Sequence, residues 1–133
     1  MDVKELKDRI EASRRVEAVV NGATFTMIMP TDHQLRVIMQ RANDANGQRV
    51  DALIWHRLLG QALVGWSGVK VADLFVVEND EPLAFSAEAR DLLLEHRLDI
   101  VDSLEREVLQ WLSDYRSKRE ATEKNSSGAS SGS

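Results

Sequence analysis

The sequence predicts a mainly helical α+β domain with an N-terminal β-hairpin and a disordered C-terminal tail. Three observations carry that expectation. Two apolar, β-prone segments, 16–20 and 23–29, flank Asn21-Gly22, a pair that tolerates the positive φ angles of a type I′ turn. Later segments repeat apolar residues at steps of three and four, the period of a helix with one buried face. From Arg116 that period is lost, and residues 125–133 are only Asn, Ser, Gly and Ala, which have no means of burying themselves.

Each element follows from its own residues. Val3, Leu6 and Ile10 stand at helical spacing among alternating charges, which predicts a short amphipathic helix over 2–12. The hairpin, over about 15–29, pairs Val20 with Ala23, Ala18 with Phe25 and Val16 with Met27. Those six share an apolar face, while Glu17, Val19, Thr24 and Thr26 share the other. A lone hairpin is marginal in water, so its apolar face must pack on helices or on a partner. Pro30 ends the ladder, and Thr31 or Asp32 caps a helix over about 32–43 that buries Leu35, Ile38, Met39 and Ala42. A second helix, about 50–64, aligns Leu53, Ile54, Leu58 and Ala62, with Trp55 and Leu59 widening the stripe. Gly65 and Gly68 mark its exit. Residues 69–85 form a connector without a period, too apolar to be wholly exposed. Ser86 caps a helix over about 87–96. Asp99 caps the longest, about 99–116, with Ile100, Leu104, Val108, Trp111 and Tyr115 on one stripe. The expected organisation is one globular domain over 1–116 and a polar flexible tail over 117–133.

Composition narrows the function classes. The 133 residues contain no cysteine, which removes disulfides and thiolate metal sites. No stretch approaches the ~18 apolar residues of a membrane span, and charges follow Met1 at once, so a soluble cytoplasmic protein is expected. The net charge of −5 is uneven: residues 1–72 sum to +2, 73–107 to −8 and 108–133 to +1. An acidic middle repels phosphate backbones, so no nucleic-acid partner is expected.

No chemistry emerges from the motifs. Gly65-Trp66-Ser67-Gly68-Val69 departs from the G-x-S-x-G nucleophile elbow at its last position and follows a helix, where the elbow needs a strand. His33, His56 and His96 stand on separate expected helices without H-E-x-x-H spacing. The carboxylates of 73–107 suit solvated helix faces, and there is no glycine-rich phosphate loop. No catalytic, cofactor-binding or metal residue is therefore assigned, and an enzyme is not expected. The candidate residues are apolar: Trp66, Leu74 and Phe85 around the connector, with Phe25, Met27 and Met29 of the hairpin, as protein-contact positions. Met27, Met29 and Met39 read as core filling more readily than as an adaptable surface, while Trp66 reads equally as core or interface.

A longer pattern gives these residues a context. Ala62-Leu63-Val64-Gly65-Trp66-Ser67-Gly68-Val69, then Asp73-Leu74, then Pro82-Leu83-Ala84-Phe85-Ser86-Ala87-Glu88-Ala89 resembles the tail assembly chaperones of long-tailed (siphovirus-type) bacteriophages and prophages. Upstream, Asn21-Gly22, Thr24-Phe25-Thr26 and Pro30-Thr31-Asp32 extend the likeness, which covers about residues 15–120 as short motifs. The resemblance implies a protein that works in the host cytoplasm and is absent from the mature virion. It implies binding to the tape-measure protein and delivery of tail-tube subunits, with homo-oligomers, no cofactor and no membrane partner. Members are often made in two lengths through a ribosomal −1 slip, the longer form contacting the major tail-tube protein. Glu123-Lys124-Asn125 admits the codons GAA-AAA-AAC, which contain a common slippery heptamer. On this reading Trp66→Ala weakens client binding more than it unfolds the domain. Two other classes remain open: a structural tail-completion or connector subunit of the virion, and a small phage-encoded regulator that sequesters a host protein.

Overall fold

The computed structural model describes residues 1–42 and 54–131, with the side chains of 41–42 and 126–131 outside that description. The elements are α1 (Val3–Arg14), β1 (Arg15–Val20), β2 (Ala23–Ile28), α2 (Asp32–Ala42), α3 (Ile54–Ala62), β3 (Leu63–Ser67), a 3-10 turn (Val71–Asp73), α4 (Ala87–His96) and α5 (Leu98–Ser131). The expected start of α3 near 50, Leu53, and the expected end of α2 near 43–47 lie outside the described residues.

The hairpin has the register that its turn dictates. Val20 pairs with Ala23, Ala18 with Phe25 and Val16 with Met27. Asn21 (φ 52°) and Gly22 (φ 81°) take the positive φ angles that a two-residue turn requires. Ala18, Ala23, Phe25 and Met27 are buried, while Glu17 and Val19 on the other face are exposed.

The sheet has a third strand that the sequence did not announce. Helix α3 ends at Ala62, and Leu63–Ser67 runs on as β3, antiparallel to β2 in the order β1-β2-β3. The expected helix to 64 and its glycine exit are thus corrected: Gly65 lies within a strand, and only Gly68 (φ 81°) turns the chain. The reason is a bulge. The register runs Thr24↔Ser67, Phe25↔Trp66 and Thr26↔Gly65, then skips Val64 so that Met27 meets Leu63. Leu63 and Trp66 are three apart and would face opposite ways in a regular strand. The extra residue restores both to the core side and leaves Val64 exposed.

Helices cover the apolar face of the sheet. Buried Ile54, Leu58 and Leu59 of α3, Leu93 and Leu94 of α4, and Ile100, Val101, Leu104 and Val108 of α5 form one cluster with Phe25, Met27, Met29 and Leu63. Ser86 caps α4 as expected, its Oγ accepting the Ala89 N–H at 3.0 Å. Helix α5 starts at Leu98, one residue before the expected position, with Asp99 in its first turn. Its stripe ends near Tyr115, yet the helix does not. Residues 117–125, expected in the tail, continue it with exposed side chains and i,i+4 contacts such as Arg119–Glu123 at 3.3 Å. Arg, Lys, Glu and Ala are good helix formers without any burial, which the loss of an apolar stripe does not reveal.

Arg14 ties three parts together. Its Nη1 donates to the Pro30 carbonyl at 2.8 Å, and its guanidinium lies 5.5 Å from the Trp111 ring and 5.3 Å from the Tyr115 ring, which are themselves stacked. Cation–π attraction there joins the end of α1 to α5.

Candidate protein-interaction surface

The structure divides the six apolar residues singled out above. Phe25 and Met27 are 0% exposed and Met29 is 1%. All three belong to the core, beneath α3, α4 and α5, and cannot touch a partner while the domain is folded. Their place as contact positions is corrected: the hairpin's apolar face is covered by the chain's own helices.

Trp66, Leu74 and Phe85 are half-buried and pack on that core. Trp66 crosses Phe25 edge-on at 6.2 Å and Phe85 edge-on at 4.9 Å. Its Nε1–H donates to the Leu83 carbonyl at 2.8 Å. The tryptophan therefore fastens the returning limb of the connector to β3, combining apolar area with a satisfied polar tip. Its first duty is structural. These contacts give its loss a stability cost, whatever it contributes to binding.

The connector itself is a closed loop. Lys70 bridges Pro82, the Leu83 N–H donates to Val69 O at 2.8 Å, and the Val71 N–H donates to Glu81 O at 3.0 Å. Arg97 pins the loop from outside, with Nη1 donating to Asp73 O at 2.6 Å and the rest of its fork gripping Asp99 at 3.0 and 2.9 Å. The Arg97 hydrogen bonds hold the Asp99 carboxyl down at about 2, and the first turn of α5 adds to the effect. At the tip, Phe75, Val76 and Val77 are exposed, although the sequence pointed to Leu74 and Phe85 instead. No periodicity marks such a tip; the signal available was only that three apolar residues precede Glu78 and Asp80.

Among the described residues, two further apolar surfaces are open. Helix α1 has no buried residue, and its Val3, Leu6 and Ile10 are 68%, 48% and 46% exposed. Between α2, α3 and α5 lies a slot of about 200 Å³, its walls including Leu35, Met39, Trp55, Leu109 and Leu112, with Arg116 at the edge. Among the described residues no group of three or more His, Asp or Glu is placed to hold a metal ion, and no helix is long and apolar enough to cross a membrane. His33, His56 and His96 lie on α2, α3 and α4.

Compared with protein-family models, curated proteins and solved structures, this chain finds no match. The likeness to tail assembly chaperones rests on its motifs alone, and the structure alters one of them: Gly-Trp-Ser-Gly ends a strand rather than a helix.

Two outcomes follow from this geometry. Trp66→Ala lowers stability by about 2–4 kcal/mol in urea unfolding, whereas Trp66→Phe loses less because the ring contacts survive. The Asp99 carboxyl is lower in the folded protein than its ordinary 3.8, so its contribution is complete above about pH 4 and fades as pH falls toward 2. Because that side chain is 59% exposed, solvent screening holds the contribution to less than about 1 kcal/mol. Unfolding of Asp99→Asn and of the unaltered protein should differ most above pH 4 and converge near pH 2.

Proposed function

We propose that this protein is a tail assembly chaperone of a long-tailed phage or prophage, binding the tape-measure protein and helping to recruit tail-tube subunits. The motif resemblance suggests it, and one structural observation supports it. The slot among α2, α3 and α5 is narrow and apolar, with Leu109 49% exposed at its lip. An amphipathic helix laid along such a slot would fill it with successive apolar side chains. A protein that keeps an aggregation-prone helical client soluble needs open apolar surface framed by charge, and Arg116 with the exposed charged residues of α5 provides that frame.

This reading involves no catalysis, cofactor, nucleic acid or membrane. The protein acts in the host cytoplasm, leaves before the virion matures and self-associates. A longer frameshifted form would bring the major tail-tube protein. Glu123 and Lys124 lie on α5 beyond its last core residue, so chain exchanged after them leaves the folded part untouched.

Co-expression with the neighbouring tape-measure gene tests the proposal. The unaltered protein should hold the tape-measure chain in solution and co-purify with it. Leu109→Asp should reduce the recovered complex about tenfold while leaving thermal unfolding nearly unchanged. Failure of the unaltered protein to retain the tape-measure chain, or its recovery as a component of purified tails, would count against this function and favour a structural subunit.

A further inference from the structure

We infer that copies of this chain associate head to tail, the connector tip of one copy seating in a cleft beside α1 of the next. The donor is the tip at Phe75, Val76 and Val77. Phe75 is 59% exposed and Val76 fully so, on a loop that is otherwise well tied down. Its base is closed by the Lys70–Pro82 bridge, by the Leu83 N–H to Val69 O bond and by Arg97 on Asp73 O. A loop held this firmly presents its apolar tip without the ordering cost of a loose one.

The acceptor is a cleft of about 400 Å³ whose apolar lining includes Ile10 of α1, Ile28 and Met29 after β2, and Val64 at the bulge. Lys7, Arg14 and Glu11 also line it, two cations to one carboxylate. Arg14 is engaged with Pro30 O, whereas Lys7 has no ion-pair partner among the described residues. The donor side has the opposite sign: residues 73–82 contain Asp73, Glu78, Asp80 and Glu81 and no cation. Of these, Glu78 and Glu81 have no ion-pair partner among the described residues, and Asp80 is 3.7 Å from Lys70.

Topology decides between contact within one chain and contact between chains. The connector leaves the sheet at Ser67, opposite Thr24 and beside the hairpin turn, where Gly68 approaches the Gly22 carbonyl. Helix α1 joins at Arg15, opposite Ile28, at the other end of the strands. Six residues of strand separate the ends by roughly 20 Å. Tip and cleft are thus attached at opposite ends of the strands, which favours contact between molecules over contact within one. Tip-to-tip pairing would oppose Glu78 and Asp80 with their own copies, so the complementary, heterologous contact is favoured. The acidic rim likewise opposes insertion of the tip into an anionic lipid surface. Both patches are small, which makes the contact a weak one, dependent on protein and salt concentration.

Sedimentation velocity of the full chain tests this with two variants. Val76→Asp spoils the tip and keeps the cleft; Ile10→Asp spoils the cleft and keeps the tip. The unaltered chain should grow in mass with concentration, less so in high salt, and each variant alone should associate at least tenfold more weakly. An equimolar mixture should form a heterodimer and stop there, since only one good tip and one good cleft remain. Lys7→Glu and Glu78→Lys serve where an apolar-to-acid change harms folding: each alone weakens association, and the two together in one chain restore it. An unaltered chain that stays monomeric, variants that associate as before, or a mixture that stays monomeric would each overturn the inference. This inference rests on the self-association in the proposed function and gives it surfaces: a monomeric chain that still retains the tape-measure protein would overturn both of those and leave the client reading standing.

Discussion

The constraint on which the rest depends is the full burial of one face of β2. It is the central strand, hydrogen-bonded to β1 on one side and to β3 on the other, and its Ala23, Phe25 and Met27 lose essentially all contact with water. At about 1.5–3 kcal/mol for each large side chain removed from water, Phe25 and Met27 together with Leu59, Leu63, Leu93 and Leu104 contribute a large share of the gross apolar stabilisation. Everything placed around that face is there to cover it. Helix α5 lies against β1, α3 runs straight into β3, and the bulge at Val64 turns both Leu63 and Trp66 toward the same core. A sheet with one solvated face needs helices on the other, and among the described residues α3, α4 and α5 supply most of the helical side chains in that core, with Ile38 of α2 beside them.

That arrangement leaves the ends of the sheet with different jobs. At the hairpin-turn end, Trp66, Leu83 and Phe85 close the connector, and Arg97 and Asp99 fix it to the start of α5. At the other end, Arg14 joins α1 to Pro30 and to the Trp111–Tyr115 stack. Neither polar cluster is buried deeply enough to add much stability by itself; each fixes direction, aiming an apolar surface at solvent. Among the described residues, apolar surface stays open at these ends and in the interhelical slot, while the apolar face of the hairpin is covered.

Much of the fold could be read from the residues. Asn21-Gly22 set the hairpin register because a two-residue turn leaves only one pairing, and Ser86 marked the start of α4 because a serine hydroxyl answers the free N–H groups there. What escaped was β3. Its five residues contain a glycine and a bulge, so the apolar alternation that identifies a strand is broken at the point where it should be clearest. The far part of α5 escaped for a different reason, since helix propensity persists where the apolar stripe has ended. The contact residues were the least legible. An apolar residue looks the same in sequence whether it is buried, like Met27, or exposed, like Val76, and only the packed structure tells them apart.

Amide hydrogen exchange followed across a range of protein concentrations tests this account most directly. The β2 amides of Phe25 and Met27 should exchange slowest at every concentration, through global unfolding only, while α1 and residues 74–78 should exchange fast when dilute and slow as concentration rises. If the hairpin amides exchanged as readily as the connector tip, and α1 showed no dependence on concentration, the apolar face of the hairpin would be an openable surface. The division of labour between core and ends would then be wrong.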